Sequence, residues 1–490
     1  MARRHRFGAY TLALLGALAV SPIAAQQAPE FPTLATDHPI GEGVTQPCLD
    51  TVEGEAVCGR FRVLENRAAP AGRTIDVAFV VLKALNDGGH VDAYTRFNGG
   101  PGSPMTPAAN SMAGRRADIR ADRDVLLVDH RGTGNSTPLG CNNAYPTGMR
   151  SRFETVMPLD HVDGCRDMLS RRHDLSQYTT PNSMDDLAEL SEWLGYAQLN
   201  INGGSYGTVE AQVFTRRHPD MVRTVIMNGV APLQDRVYVH HARYLQESLE
   251  NMYAECAEQS ECSEAYPDLQ AVTEEVLQTA STRPRLVRAG SMRSPFRIGP
   301  LSYALRGLLY GQSGTVPARI YEAKDGNWQT LADYYVQRQS WVGTTAGVPA
   351  GYHFSVLCAE DIDPLTWPEI EEASAGTFMG DYLIAGYKRA CDRWPSAEMP
   401  ASFFEPVTSN KPVLILSGGR DPVTPVVGGN KMAEQWPNSV HVVVPNGGHG
   451  QGGPCITAML VHLIRTGSVS GIDTSCVQSR PPTAFEISGR

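Results

Sequence analysis

Apolar and polar positions along this chain follow two different periods, and the switch between them divides it. After a Pro-rich lead, Ala28 to Pro47, Cys58 to Leu64 and Thr74 to Lys83 are short β-rich runs that read as opening antiparallel strands, with Asp92 to Phe97 as a third. Arg123 to Asp129 carries the unbroken core Val125-Leu126-Leu127-Val128, which suits a strand buried on both faces of a parallel sheet. Pro181 opens a helical pattern through Leu187, Leu190 and Leu194, with Asp185 and Asp186 well placed in its first turns. An alternating run at Gln198–Asn202 and a buried run at Val222–Asn228 follow. Strands alternating with helices in this way predict an α/β fold with a mainly parallel sheet.

From about Leu233 to about Ala401 the period becomes helical and buried-strand runs disappear. Strand patterning resumes at Lys411–Leu416 and again at Val440–Val444. The organisation expected is a core in two parts, residues 26–232 and 402–490, with an inserted, mainly helical cap over 233–401. The plainer reading of that block is a separate helical domain with no part in the site.

The densest chemistry lies where a strand meets a helix. Gly203-Gly204-Ser205-Tyr206-Gly207 reads G-x-S-x-G between the Gln198–Asn202 run and the helix-compatible Thr208–Phe214. A serine on a tight, glycine-flanked strand-to-helix turn is a candidate nucleophile. Such a serine needs an acid and a base, which in this architecture follow in the order acid, then His. Asp421 stands just past the strand ending at Leu416, and His449 lies in the glycine-rich loop after Val444. Taken singly, Asp421 is an ordinary turn residue and His449 an exposed one; order and strand-end placement link them. Phe97-Asn98-Gly99-Gly100-Pro101-Gly102 is the candidate oxyanion loop, with Gly100 and the backbone N–H of Tyr206 as donors, against the alternative of a plain Gly-Pro turn. Asp129-His130-Arg131-Gly132-Thr133-Gly134 closes the next strand as scaffolding, and its glycines do not fit a dinucleotide fingerprint.

Composition narrows the setting. Residues 1–25 have a basic start (Arg3, Arg4, Arg6), an apolar Thr11–Val20 and a small-residue site before Gln26, the pattern of a signal peptide. Its removal would shift the formal charge from −10 to about −13, which leaves no basic footprint for nucleic acid. The apolar run is too short for a span of ~20 residues, so no membrane anchor is expected. Ten cysteines without a C-x-x-C pair suit disulfides in an exported chain, secreted or periplasmic. Pairing of sequence neighbours (48–58, 141–165, 256–262, 358–391, 455–476) is the simplest hypothesis, with connectivity left open. His240, His241 and His353 lack a clustered carboxylate or thiolate pattern, so neither a metal nor a cofactor is expected.

Taken as a set, Asn98–Gly102, Asp129–Gly134, Gly203–Gly207, Gly419-Arg420-Asp421 and Gly448-His449-Gly450 resemble the exported α/β-hydrolases related to proline iminopeptidase and tripeptidyl aminopeptidase. The resemblance covers roughly residues 55–465. It implies the α/β-hydrolase fold, a Ser205–Asp421–His449 triad, small peptides as substrates cleaved near a free N-terminus, and a tripeptidyl-aminopeptidase-like region over about 400–476. Two positions depart from the family pattern. Asn98 replaces the usual His before Gly-Gly-Pro-Gly, and His130 the common Gln, which bears on proline preference more than on acyl transfer. Ser355–Asp361 resembles the family's cap-return segment, so Glu360 and Asp361 are implied as ligands of the substrate ammonium; the pair reads equally well as a helix-end or solvated acid pair. A carboxylesterase or lipase using the same triad is the competing enzyme, and a non-catalytic hydrolase-like binding module the competing non-enzyme.

Overall fold

The computed structural model describes residues 31–487 apart from 35–36, 50–51, 87–90, 142–152, 154, 156, 340–347 and 479. The expected signal peptide, 1–25, lies outside the described residues. Nine strands form one sheet in the order β1 (Gly43–Pro47), β2 (Ala56–Leu64), β3 (Thr74–Leu82), β5 (Val125–Val128), β4 (Asp92–Phe97), β6 (Gln198–Gly204), β7 (Val222–Asn228), β10 (Val413–Gly418) and β11 (Ser439–Val444). The first three strands and the β3–β5 pair are antiparallel. Every pairing from β5 through β4, β6, β7 and β10 to β11 is parallel.

Two-sided burial explains the unbroken apolar runs. Val77, Phe79 and Val81 face one core while Val80 and Leu82 face the other, and Val125 and Leu126 divide in the same way. Helices Thr180–Trp193 and Gly207–Arg217 contribute to the first core, and Pro454–Thr466 to the second. The Thr180–Trp193 helix begins where the sequence signals it, with Pro181 in the first turn and the Thr179 side chain accepting from the Asn182 N–H.

Two strand expectations need correction. Asp92–Phe97 does not extend the antiparallel opening; it enters the parallel part between β5 and β6, and five of its six residues are buried, as a central strand requires. Gly43–Pro47, read as part of a Pro-rich lead, pairs with β2 as the edge strand. Its closing proline suits an edge, where a missing N–H breaks no ladder.

Between β7 and β10 the chain is mainly helical. Its helices include Val237–Glu258, Leu269–Thr282, Ile298–Gly311, Gln329–Gln339, Ala350–Leu357 and Tyr382–Cys391. A two-stranded hairpin, β8 (Arg285–Ala289) with β9 (Met292–Phe296), also lies there. It escapes a search for buried runs because exposed residues interrupt the buried ones along it and it pairs with no larger sheet. All ten cysteines pair with their sequence neighbours. Among the described residues, no helix is long and apolar enough to cross a membrane.

Candidate active site

β6 runs into a sharp turn at Ser205, whose φ of 56° lies in the left-handed region, and the Gly207–Arg217 helix starts two residues later. The flanking glycines are steric requirements. A Cβ on Gly203 would stand 2.2 Å from the Gly207 carbonyl oxygen, and one on Gly207 would stand 2.5 Å from the Phe97 oxygen. Strand β6, the helix and the end of β4 therefore approach closely only with glycine at both places, which leaves Ser205 projecting at the carboxyl edge of the sheet.

Asp421 follows β10, and its side chain is fully shut off from solvent. Its Oδ1 accepts from the N–H groups of Val423 (3.0 Å) and Thr424 (2.9 Å). Its Oδ2 accepts from the Thr424 hydroxyl at 2.7 Å and from His449 Nδ1 at 2.8 Å. With Nδ1 committed as donor to a carboxylate, the neutral His449 ring keeps its lone pair on Nε2, the tautomer a general base needs. The ring packs on Tyr310 at 5.0 Å between centroids.

Asn228, the last residue of β7, joins these parts. Its carbonyl accepts the Ser205 N–H at 2.9 Å. Its side-chain amide exchanges two hydrogen bonds with the Gln451 backbone, at 2.7 and 2.8 Å, and so fixes the loop that bears His449. A Cβ on the next residue, Gly229, would lie 3.2 Å from His449 Cε1 and 3.4 Å from Asp421 Oδ2. Ser205, His449 and Asp421 thus gather around the Asn228–Gly229 step.

The glycine-rich loop after β4 lies against the same serine: a Cβ on Gly99 would sit 2.7 Å from Ser205 Cβ. Two side chains from the inserted block hold successive loop carbonyls. The Tyr238 hydroxyl donates to Gly100 O at 2.6 Å, and His353 Nδ1 donates to Pro101 O at 3.1 Å. A carbonyl can only accept, so His353 carries its proton on Nδ1 and accepts from the Tyr387 hydroxyl on Nε2 at 3.0 Å. Burial lowers its pKa to about 4, keeping the ring neutral. Gly100, Ser205 and Tyr206 share the lining of one cavity of about 250 Å³, walled mostly by inserted-block residues such as Tyr238, His241, Tyr303 and Tyr387.

Glu360 and Asp361 lie one layer behind this cavity and do not line it. They sit on a π-helical turn, Cys358–Ile362, that continues the Ala350–Leu357 helix. Glu360 accepts from the Thr180 N–H at 2.6 Å and from the Tyr206 hydroxyl at 2.8 Å, so both its oxygens are taken. Burial raises its pKa to about 7 against those hydrogen bonds. Asp361 is raised to about 8, again by burial, offset in part by the Tyr238 N–H; its Oδ1 has no hydrogen-bond partner among the described residues. The structure therefore brings Ser205, Asp421, His449, Gly100 and Tyr206 together and places the two acids behind Tyr206, outside the cavity lining.

Arg131, fully buried, braces the floor. It donates to both Asp186 oxygens, at 2.6 and 2.7 Å, and to the Glu65 carbonyl at 2.8 Å. Among the described residues no group of three or more metal-ligating side chains occurs. Sequence reasoning missed Asn228, Thr424, Tyr238 and Tyr310. Of these, Asn228 had a signal: a polar residue closing an apolar parallel strand, where sites collect.

This sheet order, with the serine elbow after β6 and the acid after β10, defines an α/β-hydrolase. Residues 374–476 match the family model described as TAP-like protein. The chain is 23% identical over 465 residues to a tripeptidyl aminopeptidase of Streptomyces coelicolor, covering 87% of this chain and 84% of that one. It is 25% identical over 442 residues to serine protease Hip1 of Mycobacterium tuberculosis, covering 79% and 81%. Among solved structures, a proline iminopeptidase from Mycobacterium smegmatis aligns over 76% of this chain and 88% of that one, at 15% identity and a TM-score of 0.35. In fold the chain is an α/β-hydrolase, and in sequence it is similar to tripeptidyl aminopeptidase and serine protease Hip1 over most of its length. The matched region starts at 374 rather than about 400, taking in the Tyr382–Cys391 helix as well as Asp421 and His449.

Proposed function

We propose that this chain is a serine hydrolase that cleaves peptides near a free N-terminus through an acyl-enzyme on Ser205. The observation that carries the proposal is the 2.8 Å hydrogen bond between Asp421 and His449 beside a serine on a left-handed elbow. His449 takes the Ser205 proton as the hydroxyl attacks the scissile carbonyl, then gives it to the leaving amine. Asp421 holds the imidazole tautomer and supports its charge. The oxyanion meets the backbone N–H groups of Gly100 and Tyr206. Water then hydrolyses the ester, with His449 again as base.

The inserted block, residues 233–401, acts as a cap, since it supplies most of the cavity wall above Ser205. Peptide substrates are supported by the peptidase relatives. Five disulfides support a secreted or periplasmic location. One observation favours a second reading, a carboxylesterase: among the described residues no carboxylate lines the cavity to meet a substrate ammonium. For an ammonium ligand, Asp361 is the better placed of the two acids, because it alone keeps an oxygen unpartnered. Turnover of matched free and N-acetylated peptides, with short-chain esters alongside, decides between them. Loss of cleavage on acetylation is expected; equal cleavage of blocked and free peptides overturns the aminopeptidase assignment.

A further inference from the structure

Among the described residues, both charged side chains that line the cavity at Ser205 are cations, Arg306 and Arg338. Arg306 stands on the Ile298–Gly311 helix with its guanidinium carbon 5.6 Å from the centre of the Tyr303 ring. Its Nε is closed off from solvent and has no hydrogen-bond partner among the described residues. A buried donor left without an acceptor is uncommon, because the group loses water and gains nothing in exchange. The placement also runs against the average of a chain whose net charge is −10.

The two cavity histidines add no charge near neutral pH. Burial holds His353 at about 4, and burial followed by the Arg306 charge holds His241 well below its usual range. The field of Arg306 reaches the ring beside His449. Tyr310, the ring that packs on His449, feels both Asp421 and Arg306. Arg338 lies further out, exposed over the Tyr334 ring at 5.7 Å. An ammonium entering this cavity meets two like charges, whereas a carboxylate meets a guanidinium already stacked in place.

We infer that the cavity binds a carboxylate carried by the substrate, with Arg306 as its ligand. The inference rests on the proposed reading of Ser205 as nucleophile and specifies the substrate class. A planar guanidinium presents paired donors that match a carboxylate, and stacking on Tyr303 reduces the freedom lost on binding. Two parts of a peptide carry this chemistry: an Asp or Glu side chain near the cleaved bond, and the terminal α-carboxylate of a short peptide.

The test is a ratio of kcat/KM values. Fluorogenic tripeptides with Glu or Gln at each of the three positions before the cleaved bond form one arm. Short peptides ending in a free acid or an amide form the other. In the full-length wild type, one arm should favour the acid by roughly tenfold to a hundredfold, the scale of a hydrogen-bonded charge pair; the arm that responds names the source. Arg306→Gln should bring that ratio to within about threefold of one, and Arg306→Lys should keep part of it, with thermal unfolding reporting whether each variant is folded. A wild-type ratio near one in both arms overturns the site, as does a large ratio that survives in a folded Arg306→Gln protein. The wild-type ratio needs no variant, so a misfolded variant does not rescue the inference. Ser205→Ala in the same assay separates the two readings. Turnover that persists without Ser205 defeats the nucleophile, while Ser205-dependent turnover with no acid preference defeats only the carboxylate site.

Discussion

Tyr206, the residue after the elbow serine, donates its phenolic hydroxyl to Glu360 at 2.8 Å. One side chain thus links the backbone N–H proposed for the oxyanion to a buried acid from the inserted block. Glu360 also takes the Thr180 N–H, at the start of the helix that carries Asp186. The elbow, the Arg131-braced floor and the insertion are therefore tied through one carboxylate.

Removing that tie should show in turnover and stability together. Tyr206→Phe leaves a buried Glu360 oxygen without its donor, a loss on the order of 1–3 kcal/mol. We expect kcat to fall roughly tenfold with a smaller change in KM, because the ring positions the oxyanion donor rather than binding ground-state substrate. Steady-state kinetics beside chemical denaturation checks this. A stability loss with unchanged kcat assigns Tyr206 a purely structural role.

The two buried acids give stability a pH dependence of definite sign. Glu360 is raised to about 7 and Asp361 to about 8, chiefly by burial, from ordinary values of 4.5 and 3.8. Above those ordinary values the folded chain holds protons that the unfolded chain has released. Stability is therefore fully present at low pH and is lost as pH rises through about 7 to 8. Asp361→Asn mimics the protonated acid and keeps an acceptor for the Tyr238 N–H. Its unfolding free energy should exceed that of the wild type at pH 8, on the order of 3 kcal/mol, and match it near pH 4. Denaturant curves from pH 4 to 8 measure the difference, and parallel curves for the two proteins contradict it.

Asn228 has no contact with substrate in this account, yet it holds the His449 loop to the elbow strand. Asn228→Ala removes the two side-chain bonds to Gln451 and keeps the carbonyl that accepts the Ser205 N–H. We expect kcat/KM to drop about a hundredfold through displacement of the base, since a misplacement near 1 Å can have that effect. Stability should fall by only about 1–2 kcal/mol. A variant with wild-type kinetics across the pH range would show that the His449 loop holds itself.

The readable parts of this molecule were those with short-range signals. G-x-S-x-G between a strand and a helix, and Asp421 and His449 just past strand ends, each announce a turn at a sheet edge, and all three meet around Asn228–Gly229. Sequence-neighbour disulfides were legible because closure across short separations asks little of the fold. What escaped depends on long-range contact. Tyr238 reaches Gly100 across 138 residues, and Glu360 reaches Tyr206 across 154. Local sequence shows an acid pair at 360–361; only the packing shows that Tyr206 and Thr180 already occupy one of them. The β8–β9 hairpin and the Gly43–Pro47 edge strand escaped because neither is buried on both faces.

Covalent labelling identifies the nucleophile. Full-length protein is treated with a fluorophosphonate probe, digested, and the modified residue located by mass spectrometry. One probe per chain is expected, on Ser205, coupled to loss of activity. Ser205→Ala should take no label, and labelling of His449→Ala should be slowed by orders of magnitude. Stoichiometric labelling at another residue, or full activity in Ser205→Ala, would show that Ser205 is not the nucleophile.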